Sequence, residues 1–230
     1  MILLKLLGTI VNCGTVVLGC SVGLILKKGI PQKLEKIIMQ AIALSVLAIG
    51  VMGIFDSQNT LVLIISMVLG TVIGSLIDID KWINKLAEKL GNKFSKKDNI
   101  SEGFVSSTLL FCVGAMSVVG SLKSGLKLDH STLYSKSLLD LVSSMILASS
   151  YGFGVYFSIF SLILYQGGIT LIASVLEPLL TQTIISEMSA VGSLLILALS
   201  LNMLKITDIK IMNMLPAVFI PILIYQLPIF

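Results

Sequence analysis

Apolar residues run in blocks along most of this chain, and polar breaks separate them. The blocks fall at about 6–26, 37–55, 61–77, 104–121, 136–166, 169–185, 188–204 and 212–227. Most hold roughly 17 residues or more, enough for a helix to cross the hydrocarbon core. They predict an all-α, polytopic membrane bundle of about eight spans, built as one membrane domain over residues 1–230. The block at 136–166 is too long for one perpendicular span. It reads either as a long tilted helix or as a helix broken at Gly152-Phe153-Gly154. The block at 169–185 is interrupted by Glu177-Pro178, because proline removes a backbone donor and disfavours helix at the residue before it.

Polar positions inside the blocks are not scattered. Lys136, Asp140, Ser143, Ser150, Gly154, Ser158 and Ser161 recur at spacings of three, four or seven, so a helix places them on one stripe. Within a membrane-length segment such a stripe must face protein or water rather than lipid. With Tyr151 beside the glycine interruption, it predicts the lining of a solute path. Asn12, Glu177 and Asn213 are further candidates from other blocks. Asp140 would serve as the coupling or cation-binding carboxylate and Glu177 as a second one. Each has a plainer alternative. Asp140 is also a helix-start acid four residues after Lys136, Glu177 ends a short helix near water, and Asn12 suits a helix-packing hydrogen bond. Gly19 and Gly23 form a GxxxG edge, and Ser66, Gly70, Gly74 and Asp78 repeat every four residues. Both predict close helix packing, within the chain or between copies in a homo-oligomer.

Composition supports the membrane reading. Of 230 residues, 56% are hydrophobic and only 12% charged, with a mean hydropathy of +1.03, whereas soluble domains carry about 25% charged residues. All 16 basic residues are lysines and the net charge is +4. Most lysines lie in two loops, which fits a cytoplasmic-side bias rather than nucleic-acid binding. Alternating spans from an outside N-terminus put twelve of the sixteen inside and both termini outside. Residues 80–97 place Trp82, Ile83, Leu86, Leu90 and Phe94 on one face and lysines on the rest, predicting an interfacial helix on an anionic leaflet. The first block lacks an A-x-A cleavage pattern and reads as a retained span. Cys13, Cys20 and Cys112 have no metal-type spacing, and His130 lacks a second ligand-type neighbour. No cofactor or metal is expected. No nucleophile–base pair appears, and GxSxG, HExxH and GxxxxGK[ST] are absent, so an enzyme is not expected.

Blocks one to three and six to eight are loosely alike. An odd offset in span order would set such copies in opposite orientation, the inverted-repeat plan of many secondary transporters. The segments NCGTVVLG (12–19), LFCVGAMSVVGSLKSGL (110–126), KSLLDLVSSMILASSYGFGV (136–155), SAVGSLL (189–195) and NMLPA (213–217) resemble the YdfK/YqgA family of bacterial inner-membrane proteins of unknown function. The resemblance covers essentially the whole chain and implies a multi-pass integral membrane protein. Family members often carry glycine after the KS-x-LD aspartate, where this chain has Leu141. Two functional readings follow: a small-solute or ion transporter or channel of the bacterial inner membrane, or a non-transporting scaffold or assembly protein.

Overall fold

The computed structural model describes residues 2–27, 32–82, 85, 100–112 and 115–226, and every regular element among them is helical. The principal helices are α1 (Leu7–Lys27), α2 (Gln32–Ile54), α3 (Thr60–Ile77), α4 (Ile100–Cys112), α5 (Ala115–Lys127), α6 (Ser131–Tyr151) and α7 (Gln182–Met203). Two further segments are irregular. After α6 the chain passes through a 3-10 turn (Gly152–Phe157), a short α-helix (Ser158–Leu162), a π turn (Ile163–Gly167) and a last helical turn (Gly168–Leu171). Near the C-terminus, Ile211–Met214, the 3-10 turn Leu215–Phe219 and Ile220–Ile224 form a broken helix at Pro216 and Pro221. Proline lacks the N–H that a continuous α-helix needs at those positions.

The contacts divide into two compact units. In the first, the glycines of α1 let it lie directly on α6. A Cβ on Gly8 would strike Leu133, one on Gly19 would strike Ser144 and the Leu141 carbonyl, and one on Gly23 would strike Ala148 and the Met145 carbonyl. Positions 8, 19 and 23 thus meet 133, 141–145 and 145–149 in ascending order, so the two helices run parallel. The segment after α6 runs the other way. The Tyr156 and Ser21 hydroxyls lie 2.7 Å apart, the Asn12 side chain bonds to Gln166, and Gly167 lies beside Leu6. The long central block is therefore a helix that reverses at Gly152 and returns along α1. Gly152 adopts φ 76°, ψ −142°, a conformation that favours glycine. Helix α4 packs on the bend, where Gly154 has no room for a Cβ against Ile100, and Thr108 donates to Ser161 further down the return arm.

The second unit shows two more antiparallel pairs. Gly50 and Gly53 of α2 meet Leu197 and Ser193 of α7, while Gly70 and Gly74 of α3 meet Ala217 and Asn213 of the broken helix. Val62, Ile220 and Ile224 form a small core between α3 and that helix. Asn59 caps α3 by accepting from Leu61 N–H at 3.0 Å. The Gly19–Gly23 and Gly70–Gly74 edges are thus both occupied by the chain's own helices.

Among the described residues four helices are long and apolar enough to cross a bilayer, and the α4–α5 pair, bent by 59°, would make a fifth. The expected total of about eight is not reached on that count. Ala43–Ile54 and Ile211–Ile224 are apolar but short, and Ser131–Leu171 counts once although it doubles back. The block expected at 169–185 is not one helix. It frays through Ala173–Leu176 to Pro178, and Thr181 caps α7 by accepting from Ile184 N–H at 3.3 Å. The interfacial helix expected over 80–97 lies almost wholly outside the described residues, although Trp82 is helical and exposed. Ile10, Leu18, Leu69, Leu76, Leu138 and Leu164 are among the large apolar side chains left exposed, and these surfaces face lipid.

A glycine pair tests the packing. Gly74→Ala drives a Cβ into the Asn213 carbonyl and should destabilise the protein by roughly 1–3 kcal/mol. Gly14 has nothing within 4 Å, so Gly14→Ala should be neutral or stabilising by up to about 1 kcal/mol. Thermal unfolding in detergent reads both.

Candidate functional site

Helix α6 carries Lys136 and Asp140 one turn apart, so both side chains emerge on the same face. That face is buried: Lys136 retains 6% exposure and Asp140 5%. The Lys136 ammonium donates to Asp140 Oδ2 as an ion pair. The same oxygen accepts from Asn12 Nδ2 of α1 at 2.9 Å, and Asn12 Nδ2 also reaches Gln166 Oε1 at 3.2 Å. Asn12 and Gln166 are fully buried. Phe111 of α4 sets its ring 5.9 Å from the Lys136 ammonium, in cation–π range. Three helical segments and one aromatic from a fourth thus converge on one charge pair.

The local chain explains the convergence. Asn12 and Lys136 each lie five residues into their helices, roughly 8 Å along the axis, and the parallel packing of α1 on α6 sets them level. Gln166 arrives because the chain reverses at Gly152. It sits in the π turn, an irregularity that recurs at functional sites. The constellation leaves polar atoms over. Among the described residues, Asn12 Oδ1, Gln166 Nε2, Thr9 Oγ1 and Thr170 Oγ1 are buried with no hydrogen-bond partner in the protein. Such groups are few in native structures, and each calls for a physical reason.

Below the pair, at the ends of the helices, Ser124 donates to the Lys5 carbonyl at 2.7 Å and lies 2.7 Å from His130 Nδ1. Asp129, outside the membrane segments, accepts from the Ser131 hydroxyl at 2.7 Å and the Ser131 N–H at 3.0 Å. Those two bonds hold its carboxyl below the usual range.

The other expected site residues sit elsewhere. Ser143 and Ser150 are half-buried on flanks of α6; the buried face runs instead through Ser137, Ser144 and Leu147. Tyr151 is buried at the bend against Gly103. Glu177 is exposed in the turn before Pro178, outside this hydrogen-bonded set. Asn213 belongs to the second unit, where its Oδ1 accepts from Asp80 N–H at 2.8 Å and holds the turn after α3. Sequence reasoning passed over two residues. Gln166 looked like the end of a block, and only the reversal brings it to Asn12 and so to the edge of the charge pair. Glu187, fully buried in α7, accepts from Gln58 N–H, Asn59 N–H and the Ser57 hydroxyl at 2.7, 2.9 and 2.8 Å. It anchors the loop that starts α3, where a helix N-terminus favours a carboxylate. The signal was an acid in the two-residue break between apolar blocks.

Residues 7–226 match the family model described as "Protein of unknown function (DUF554)". The chain belongs to that family. It is 36% identical over 218 residues to "Uncharacterized membrane protein YdfK" of Bacillus subtilis (strain 168), covering 93% of each chain. It is 30% identical over 220 residues to "Uncharacterized protein YqgA" of Escherichia coli (strain K12), covering 93% of this chain and 94% of that one. No solved structure matches. The family assignment agrees with the resemblance read from the sequence motifs, and the apolar helices make this family member a membrane protein.

The ion pair has a stability signature. Lys136→Met leaves the Asp140 carboxylate buried without its cation and should cost roughly 3–5 kcal/mol, whereas Lys136→Met with Asp140→Leu should recover most of that loss. Unfolding of both variants in detergent measures the difference.

Proposed function

We propose that this protein moves a small solute or ion across the bacterial inner membrane, with the Lys136–Asp140 pair as the substrate-facing or coupling element. The reading is of a non-enzymatic transporter or channel. One observation carries it: a buried charge pair tied to two buried amides that keep unused hydrogen-bonding capacity, one of them carried back to it by the reversal at Gly152. Ionisable residues within membrane segments are costly, and where they persist they mark ion or substrate pathways. Irregular backbone at membrane depth is tolerated where it lies in protein or lines a cavity, and the 3-10 turn at the bend and the π turn that holds Gln166 support the reading.

Inverted repeats would add to this reading. Blocks two and three pair antiparallel with blocks seven and eight, as α2 with α7 and α3 with the C-terminal broken helix, whereas block one pairs with the return arm of block five rather than with block six. Two related halves of opposite topology would produce such pairings.

Thiol labelling tests the proposal. Full-length Asp140→Cys, together with Lys136→Met so that no lone charge remains, is exposed in sealed vesicles to a membrane-impermeant methanethiosulfonate with the native cysteines replaced. Transport predicts labelling from at least one side, because the reagent requires water at position 140. A folded protein that resists the reagent from both sides contradicts the proposal and favours the non-transporting scaffold.

A further inference from the structure

The unpartnered polar atoms of the first unit are not spread through it. Seven buried side-chain atoms lack partners among the described residues, and five gather toward one end of this unit: Thr9, Asn12, Gln166, Thr170 and Ser121. Asn12 and Gln166 touch, and the antiparallel course of the return arm brings Thr170, one turn on, level with Thr9, almost one turn back. A Cβ on Gly125 would strike the Thr170 carbonyl, so this level of the return arm lies on α5. Ser121 is one turn before Ser124, which holds the Lys5 carbonyl and His130. The order from the helix ends inward is therefore His130–Ser124, then the hydroxyls of Ser121, Thr9 and Thr170, then Asn12–Gln166, then Asp140.

We propose that this string is a proton route and that the ion reaching Asp140 is the proton, an inference that rests on the transport reading and specifies its coupling ion. The charge arrangement argues against a metal cation. Asp140 Oδ2 is already filled by Lys136 and Asn12, the Lys136 ammonium repels a metal cation, and of the two spare amide atoms Gln166 Nε2 is a donor, which leaves Asn12 Oδ1 as the one amide acceptor. Hydroxyls donate and accept, and a buried water needs two to four such partners. Bridging waters between these groups would carry a proton inward. On arrival it bonds to Asp140, the carboxylate becomes a neutral acid, Lys136 keeps its own proton, and the site gains one positive charge. The ionisable groups within electrostatic reach of Asp140 are Lys136 on α6, Cys13 on α1 and Cys112 on α4, with Tyr165 of the return arm beside Cys112. At the entrance, His130 is faced by Asp129 and Tyr134, with Lys123 near Asp129. Ser124 has one hydrogen and gives it to Lys5, so His130 Nδ1 must carry the donating proton.

Infrared difference spectroscopy of the full-length protein in liposomes, taken between acid and neutral pH, tests this. The wild type should show a carboxylic-acid band that is lost in Asp140→Asn and shifted in Asp140→Glu. The band should be unchanged when choline replaces sodium. After a pH jump, Thr9→Val and Thr170→Val should each slow its appearance several-fold. Their melting temperatures decide independently: removing a dry, unpartnered hydroxyl should raise stability, whereas removing a water-bridged one should not. No Asp140 band, a band displaced by sodium, or unchanged rates with raised melting temperatures would overturn the route. Because a proton needs no room for a reagent, a titrating band without thiol labelling sinks transport alone. Labelling without a band sinks only the proton route.

Discussion

A lysine and an aspartate cannot sit inside an apolar helix bundle unless each satisfies the other and the remaining polar edges find partners. That constraint organises the first unit. The pair is made within one turn of α6, yet Asp140 also needs a donor from another helix, and Asn12 supplies it only if α1 lies close and parallel. Glycines at 8, 19 and 23 allow that approach. Asn12 then needs an acceptor for its second hydrogen, and Gln166 provides one only if the chain turns back at Gly152. The positive φ, the glycine edge and the two amides are thus linked requirements of a single buried charge pair.

The second unit solves a similar problem in another way. Two backbone N–H groups and a hydroxyl, rather than a cation, surround the Glu187 carboxylate among the described residues at the start of α3. Asn213 does the same for the turn after α3. Both groups stabilise connections between helices, and neither leaves an orphaned atom. The contrast with Asn12 and Gln166, each of which keeps one, is what singles out the Asp140 cluster as the place where a mobile species would be bound.

Much of this was legible in the residue pattern. Block lengths announced membrane helices, and the polar stripe pointed to Lys136 and Asp140. The glycine edges were correctly read as packing faces, though not which helix would fill them. What spacing did not show were consequences of the reversal. The stripe assigns Ser143 and Ser150 to the lining, but α6 packs on α1 through the neighbouring face that carries Ser144 and Leu147, and the reversal at Gly152 adds Gln166. Likewise Pro178 stops the helix that would have carried Glu177 to mid-membrane. A polar residue 154 positions from its hydrogen-bond partner, as Gln166 is from Asn12, has no local signature.

The account depends most directly on the return of the chain after Gly152. In a full-length protein freed of native cysteines, Asn12→Cys with Gln166→Cys should be joined by a short bifunctional thiol reagent. Ser21→Cys with Tyr156→Cys should be joined as well, and that pair leaves the charge cluster untouched. Asn12→Cys with Ile159→Cys, about two turns away, should not. Crosslinking of the first two pairs alone is the predicted result. Failure of both in a folded protein, as a straight helix through Gly152 would require, would contradict the site as described.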